Sequence, residues 1–578
     1  MENQVISQER TANEMKKANL PRLHYLDWLK TLAVWLVVFV HVIYYLNLLN
    51  IGITRSEKEI VKQMIVFFSE FGMPIFFYVS GRASFLSSTS SLSILLRKKI
   101  LRLALPLISG YFILLPITHY VANGRRPCTY TLDGTPANFY LYYLMYVKDF
   151  KCHGFEWLWF LALLIVISLV MFPFIKVMKD QKRSENIAYI ISCGCIAAIF
   201  GPIVIYSYDF HPLALFGLSF PLMIMLVSSL VMRSARGRKS GLNVALIYLT
   251  ATSFILGSLF LAFYSNVDYK SSTSVISSDE YRPVFPEKGF LRVIDDRRMM
   301  LAIIFYISFY SVGFIDQLLS HYCSSNEQVI PENQALIGSL EVQNSGESSD
   351  LNIPMPIPSS SQEDLPDVQA CKEFKLSITK NHQTIDKISL SNDYNYYSSD
   401  KIHSIINNMP GMFKPTLIFI SLVLYSISFS LGNNGIGYMW AFPMYRIPSS
   451  SLFYVAGSWI IVFVLDSICH SLLNHVFVPK LYFHFTASSI IIYIVHMLWL
   501  EVTTSYIIIP LQIPYLQSIF LTFTITTILS IATYILATKV KFIGFIVGLT
   551  TAFTSGSNSN LKKNQISDTK TKTQQICV

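Results

Sequence analysis

Apolar runs of about 18 residues or more recur along this chain between positions 29 and 537, and their length decides the solvent in which it can fold. A helix of that length crosses the hydrocarbon of a bilayer and satisfies its own backbone hydrogen bonds within the segment. The candidate spans are 29–49, 62–84, 100–120, 155–175, 187–207, 212–232, 241–264, 298–318, 414–432, 450–470, 486–508 and 515–537. Composition agrees: 52% of the 578 residues are hydrophobic and 14% charged, where a soluble domain carries about a quarter charged residues. Mean hydropathy is +0.45. The 41 Phe and 33 Tyr suit lipid-facing surfaces and interfacial belts. The fold class that follows is all-α, a polytopic transmembrane helix bundle of about 10–12 spans.

The net charge of +10 serves topology rather than nucleic acid, because Lys and Arg gather in short segments between the apolar runs. Such clusters lie before the first span (Lys16, Lys17, Arg22) and after the second (Arg97, Lys98, Lys99, Arg102). Others follow the fourth (Lys176, Lys179, Lys182, Arg183) and the sixth (Arg233, Arg236, Arg238, Lys239). All four share one side if every span is real, which makes both termini cytoplasmic. The first twenty residues are polar, so no cleavable signal peptide is expected and the first span serves as a retained signal anchor. The organisation is a cytoplasmic arm (1–28), a first helical part (29–318), an insertion (319–413), a second helical part (414–537) and a tail (538–578). The insertion is rich in Ser, Asn, Gln, Glu and Pro and reads as disordered and cytoplasmic. That composition leans towards a eukaryotic endomembrane or plasma membrane. The eight cysteines include no C-x-x-C pair and no metal-ligand spacing. Cys128 and Cys152 share one extracytoplasmic loop, where a disulfide and two free thiols are both compatible with the sequence.

Within the first span, RLHYLDWLKTLAVWLVVFVH, Asp27, Lys30 and His41 fall on one stripe of a helix. Eleven steps from Lys30 to His41 leave an offset of about 20°, and His41 lies about 16 Å deeper, near mid-bilayer. Lipid does not tolerate such a stripe, so it faces a protein interior or a cavity. A histidine there can act as a general base, and a histidine bonded to a neighbouring helix explains the same position. Arg82, where the second span approaches the cytoplasm, has a fork suited to phosphate, but taken alone it reads as an ordinary basic flank. Asp466 and His470, four residues apart near a span end, read as an interfacial pair. Asp209, His211 and Glu501 are further polar residues in or beside spans.

These elements together resemble the acyltransferase-3 family, the membrane-embedded acyl-CoA-dependent O-acyltransferases. Leu26-Asp27 precedes a basic residue, Lys30, then ten residues, then His41. After it come FGMPIFFYVSG at 71–81, KxxRLxxP from Lys99 to Pro106, LWFL at 158–161, and IIIYIVHMLWLE at 490–501 with Tyr493 and His496. The five follow in the family's order over most of the helical chain. The resemblance implies His41 as catalytic base. Lys30, Arg97, Lys99 and Arg102 would hold the phosphates of the donor, acyl-CoA (acetyl-CoA), with Asp27 beside them in the same donor-binding site. Ser80 and Gly81 would shape the acyl path, and Tyr493 and His496 would line the same cavity. Trp157 stands where family members often carry His before LWFL, and Lys30 replaces the commoner Arg.

The reading that follows is transfer of an acyl group, acetyl foremost, from cytoplasmic acyl-CoA to a hydroxyl of a sugar, lipid or small molecule. No permanently bound cofactor, metal or nucleic acid is expected. The residues fit direct transfer and a transient acyl-histidine relay equally. Two other readings compete: a proton-coupled transporter using intramembrane His and acidic residues, and a catalytically inactive family member.

Overall fold

The fold is that of a computed structural model, which describes residues 24–49, 54–87, 97, 100–122, 131–132, 135–136, 138–148, 155–179, 212–234, 240–264, 297–327, 413–432, 448–473 and 479–547. The chain divides into two units. One comprises 1–23 and 319–408, and its described residues are the last turns of a helix ending at Glu327. The other comprises 24–318 and 409–578 and contains every feature discussed below.

The elements run α1 (His24–Leu48), α2 (Arg55–Ser87), α3 (100–121), α4 (Phe139–Lys148), α5 (Trp159–Lys179), α6 (Pro212–Ser234), α7 (Ser240–Tyr264), α8 (Arg297–Glu327), α9 (Phe413–Gly432), α10 (Pro448–Leu473), α11 (Pro479–Thr503), α12 (Tyr515–Lys539) and α13 (Lys541–Ile546). One small hairpin, β1 (Thr131–Leu132) with β2 (Thr135–Pro136), joins α3 to α4. Eleven of the twelve expected spans coincide with helices, and the expected span at 187–207 lies outside the described residues, as does most of the insertion. Seven described helices are long and apolar enough to cross a membrane: α1, α3, α5, α7, α10, α11 and α12. The protein is an all-α, multi-pass membrane bundle.

Burial follows the logic of a lipid solvent. Along α12, Ser518, Thr522, Thr526 and Ser530 recur every four residues and are buried, while Leu516, Phe520, Ile528 and Ile535 are exposed. A water-soluble helix does the reverse. Hydroxyl side chains let helix backbones approach closely, and outward apolar side chains cost nothing against acyl chains. On α7 the exposed residues Leu242, Leu249 and Leu256 repeat at seven-residue intervals, giving one lipid-facing stripe.

The centre is α1, which contacts α2, α10, α11 and α12. Its valines (Val34, Val37, Val38, Val40, Val42) are all buried, so the helix is apolar nearly all round. Phe39 packs edge-on to Phe68 of α2 and Phe523 of α12. α2 is capped by Thr54, whose backbone N–H donates to the Glu57 carboxylate at 2.8 Å while its hydroxyl accepts the Glu57 N–H at 3.3 Å. Two turns of α3 and the turn after α11 are π-type (Ile100–Ala104, Gly110–Leu114, Thr504–Ile508), an irregularity frequent beside functional sites.

Candidate functional site

α1 and α11 pack side by side and bring two histidines together. His41 lies on α1 with 7% of its surface exposed, and its Nδ1 donates to the carbonyl of Val37 at 2.8 Å. His496 on α11 is fully buried, and its Nδ1 donates to the carbonyl of Tyr493 at 2.6 Å. A carbonyl can only accept, so the hydrogen-bond network assigns the proton of each neutral ring to Nδ1 and leaves a lone pair on Nε2. At His496 that Nε2 is buried with no hydrogen-bond partner among the described residues. The ring centroids are 4.9 Å apart at an interplanar angle of 60°. One turn farther along both helices, Tyr45 donates its phenolic proton to Glu501, and both side chains are buried. Both contacts advance in the same direction along both helices, which makes α1 and α11 parallel.

The 3-10 turn Glu156–Leu158 ahead of α5 clamps α11 beside this pair. The indole N–H of Trp157 donates to the carbonyl of Ile494 at 3.1 Å, and Tyr493 donates its hydroxyl proton to the Trp157 carbonyl. Phe160 supports Tyr493 with ring centroids 5.6 Å apart. Glu156 carries a backbone φ of 41° in the left-handed region, and its carboxylate meets Nε2 of His119, from the end of α3, at 2.7 Å with both groups buried. The Tyr146 ring stands edge-on to His119. Tyr146 donates to the Tyr111 carbonyl at 2.9 Å, and burial pushes its phenol well up, so it remains a donor.

A second polar cluster is built on α2. Arg82 is fully buried, and its Nη1 donates to Oδ2 of Asp316 (α8) at 2.9 Å and Oδ2 of Asp466 (α10) at 2.8 Å. Its Nε donates to Gln317 Oε1 at 3.1 Å. Tyr78 donates to Asp316 Oδ2 at 2.7 Å, with Asp466 Oδ2 3.3 Å from the same hydroxyl oxygen. The guanidinium carbon stands 5.4 Å from the ring centre of Tyr25 on α1. The expectation that Arg82 is an ordinary basic flank is therefore corrected: its charge is consumed by two carboxylates inside the bundle. The interfacial reading of Asp466 and His470 is corrected as well. Both are buried, Asp466 turns to Arg82, and His470 meets the edge of Tyr25 at 4.8 Å.

Of the residues singled out in the sequence, the structure joins His41, His496 and Tyr493. Asp27 and Lys30 are half-buried at the start of α1, about four and three turns before His41. Arg97 and Arg102 are exposed, while Lys99, Cys128 and Cys152 lie outside the described residues. Ser80 is half-buried, and Ser84 donates to its carbonyl at 2.8 Å. Gly81 sits at the crossing of α2 and α8, where a Cβ would stand 1.9 Å from the Tyr310 carbonyl oxygen. Gly313 mirrors it against Tyr78 at 2.0 Å. Close helix approach by itself requires glycine at both places.

Sequence reasoning missed the His119–Glu156 pair and the three-helix arginine cluster. For the cluster a signal existed: one cation and two carboxylates inside apolar spans have few other ways to be neutralised. For His119 and Glu156, each at the end of a span, nothing local signalled a pair. No curated protein and no solved structure matches the chain. The Acyl_transf_3 family model, described as an acyltransferase domain, matches residues 23–340, a stretch that includes His41, Arg82, His119 and Glu156 and ends before His496. Since that stretch is more than half of the 578 residues, the chain belongs to the Acyl_transf_3 family of acyltransferase domains.

Proposed function

We propose that this acyltransferase moves an acyl group, acetyl foremost, from cytoplasmic acyl-CoA to the hydroxyl of a sugar, lipid or small molecule, with His41 as the base. The observation that carries the reading is the buried pair His41–His496, whose rings meet edge-on, with each Nδ1 tied to a backbone carbonyl. A proton acceptor on Nε2 suits an acceptor hydroxyl. As the hydroxyl oxygen attacks the thioester carbon, its proton passes to His41 Nε2, the C–S bond breaks, and the imidazolium returns that proton to the departing CoA sulfur. The products are the ester and the free thiol of CoA. His496 stands close enough to shape the same space.

The donor is anionic and cannot cross the bilayer, while its thioester arm can reach inward. Arg97 and Arg102, exposed around the start of α3, are suited to phosphate, as is Lys30 on the face of α1 that leads towards His41. This assignment goes with cytoplasmic termini and an endomembrane or plasma-membrane location. Labelled acetyl-CoA with a panel of hydroxyl acceptors tests it on purified protein. The His41→Ala variant is expected to lose transfer by about 10²–10⁴-fold with donor binding retained. Undiminished transfer by the variant sinks the role of His41, and failure of the wild type to bind acyl-CoA sinks the donor.

A further inference from the structure

We propose that the buried His119–Glu156 pair is a positioning device for His496, and through it for His41, acting by way of Trp157. A continuous series of contacts links the two ends. His119 Nε2 meets Glu156 at 2.7 Å. Glu156 is followed directly by Trp157, which is bonded twice to α11, once to each of two consecutive residues, Tyr493 and Ile494. The carbonyl of Tyr493 in turn holds Nδ1 of His496, and the His496 ring faces that of His41.

The backbone shows that this turn is held rather than relaxed. Glu156 is one of two described non-glycine residues at positive φ, and the left-handed region costs such a residue about 1–2 kcal/mol. Chain reversal at that residue aims both the indole N–H and the carbonyl of Trp157 at the same helix. The neighbouring Gly110 on α3 lets Leu158 in: a Cβ there would stand 2.8 Å from the Leu158 side chain. Stability alone gives little reason for the pair, because burying two polar side chains together roughly breaks even against apolar side chains of the same volume. What an apolar pair would not supply is a close polar contact between the end of α3 and a strained turn. That contact fixes where Trp157 grips α11, hence the rotation of α11 about its axis, hence the direction in which Nε2 of His496 points.

The kinetic arm of the test rests on the acyl-transfer reading; the spectroscopic arm does not. Full-length protein is compared with Glu156→Ala, Trp157→Phe, the double variant and Glu156→Gln, each confirmed monodisperse by gel filtration. Loss of one such hydrogen bond is expected to lower kcat about tenfold in each of Glu156→Ala and Trp157→Phe, with KM for acetyl-CoA within about twofold. The double variant is expected to be no worse than the weaker single one, since both cut the same brace. Glu156→Gln keeps a polar partner beside His119 and is expected to restore most of kcat. Independently, 15N-histidine spectra, with the His496 signal assigned through His496→Asn, are expected to show that signal displaced in Glu156→Ala and Trp157→Phe. An unmoved His496 signal in both variants overturns the proposal, as do multiplying losses in the double variant or a raised KM with kcat intact. A wild type that transfers from no donor strikes the acyl-transfer reading and leaves the spectra to decide the brace.

Discussion

The arginine cluster and the histidine pair lie in the same set of helices around α1, and their polar atoms are satisfied in opposite ways. In the first, a permanently charged guanidinium is held by Asp316, Asp466 and Gln317 from two other helices, with Tyr78 sharing both carboxylates. Nothing there can change protonation cheaply without exposing a buried charge. In the second, the groups are imidazoles whose Nδ1 atoms are anchored, and at His496 Nε2 has no hydrogen-bond partner among the described residues. A saturated buried cation locks helices together. An anchored base with an idle lone pair is equipped for chemistry, and it can be idle only because other groups carry the structural load.

The comparison predicts where damage falls. The largest structural effect is expected for Arg82→Met, which leaves two carboxylates buried without their cation and should cost about 3–5 kcal/mol, read as a fall in thermal stability or failure to fold. By contrast His41→Ala should remove activity and leave the melting temperature nearly unchanged. A similar fall in both would erase the distinction. Replacing Arg82, Asp316 and Asp466 together by apolar residues should recover most of the stability lost by Arg82→Met, because no unpaired charge remains. Next in size is Gly81→Ala, expected to destabilise by about 1–3 kcal/mol through the clash with the Tyr310 carbonyl, a measurement that separates helix packing from any part in an acyl path. Tyr45→Phe leaves buried Glu501 without its phenol donor and should cost about 1–3 kcal/mol.

The smallest effect belongs to the cap of α2. The backbone N–H of Thr54, with help from its hydroxyl, holds the Glu57 carboxyl below its ordinary value of 4.5. A lowered folded-state value means that the contribution is present above the ordinary value and is lost as pH falls through the lower one. Hydrogen exchange in the first turn of α2, corrected for intrinsic rates, should therefore quicken as pH falls below about 4.5, and do so less in Glu57→Gln. Identical profiles for the two proteins would remove the cap from the account.

Much of the fold was legible because hydropathy is a local property. The expected spans at 29–49, 241–264 and 515–537 differ from α1, α7 and α12 by a few residues at most, since each segment meets lipid or neighbours along its whole length. The largest departures are at helix ends. α2 begins at Arg55 rather than 62 because the Thr54–Glu57 cap carries it past the apolar run, and α8 runs on to Glu327. The departure of His41 from a lipid-facing surface was likewise readable from 100° periodicity, and its ring is buried. Its nearest ring was not: His496 is 455 residues away in sequence, and its spacing to His41 carries no period. Arg82 shows the same limit more sharply, since a basic residue at the end of an apolar run is read locally as a flank, and its partners lie 234 and 384 residues on.

The sequence by itself therefore determined the solvent, the helical class, most spans and that lipid could not accept His41, because each depends on free energies of transfer summed over a single segment. Only the tertiary structure decided that Arg82 is neutralised within the bundle, that His41 faces His496, and that Glu156 bends left-handed against His119 to set Trp157 on α11. Those outcomes depend on which helices become neighbours. In a membrane that choice is made by close packing and by pairing of buried polar groups, which no single segment contains.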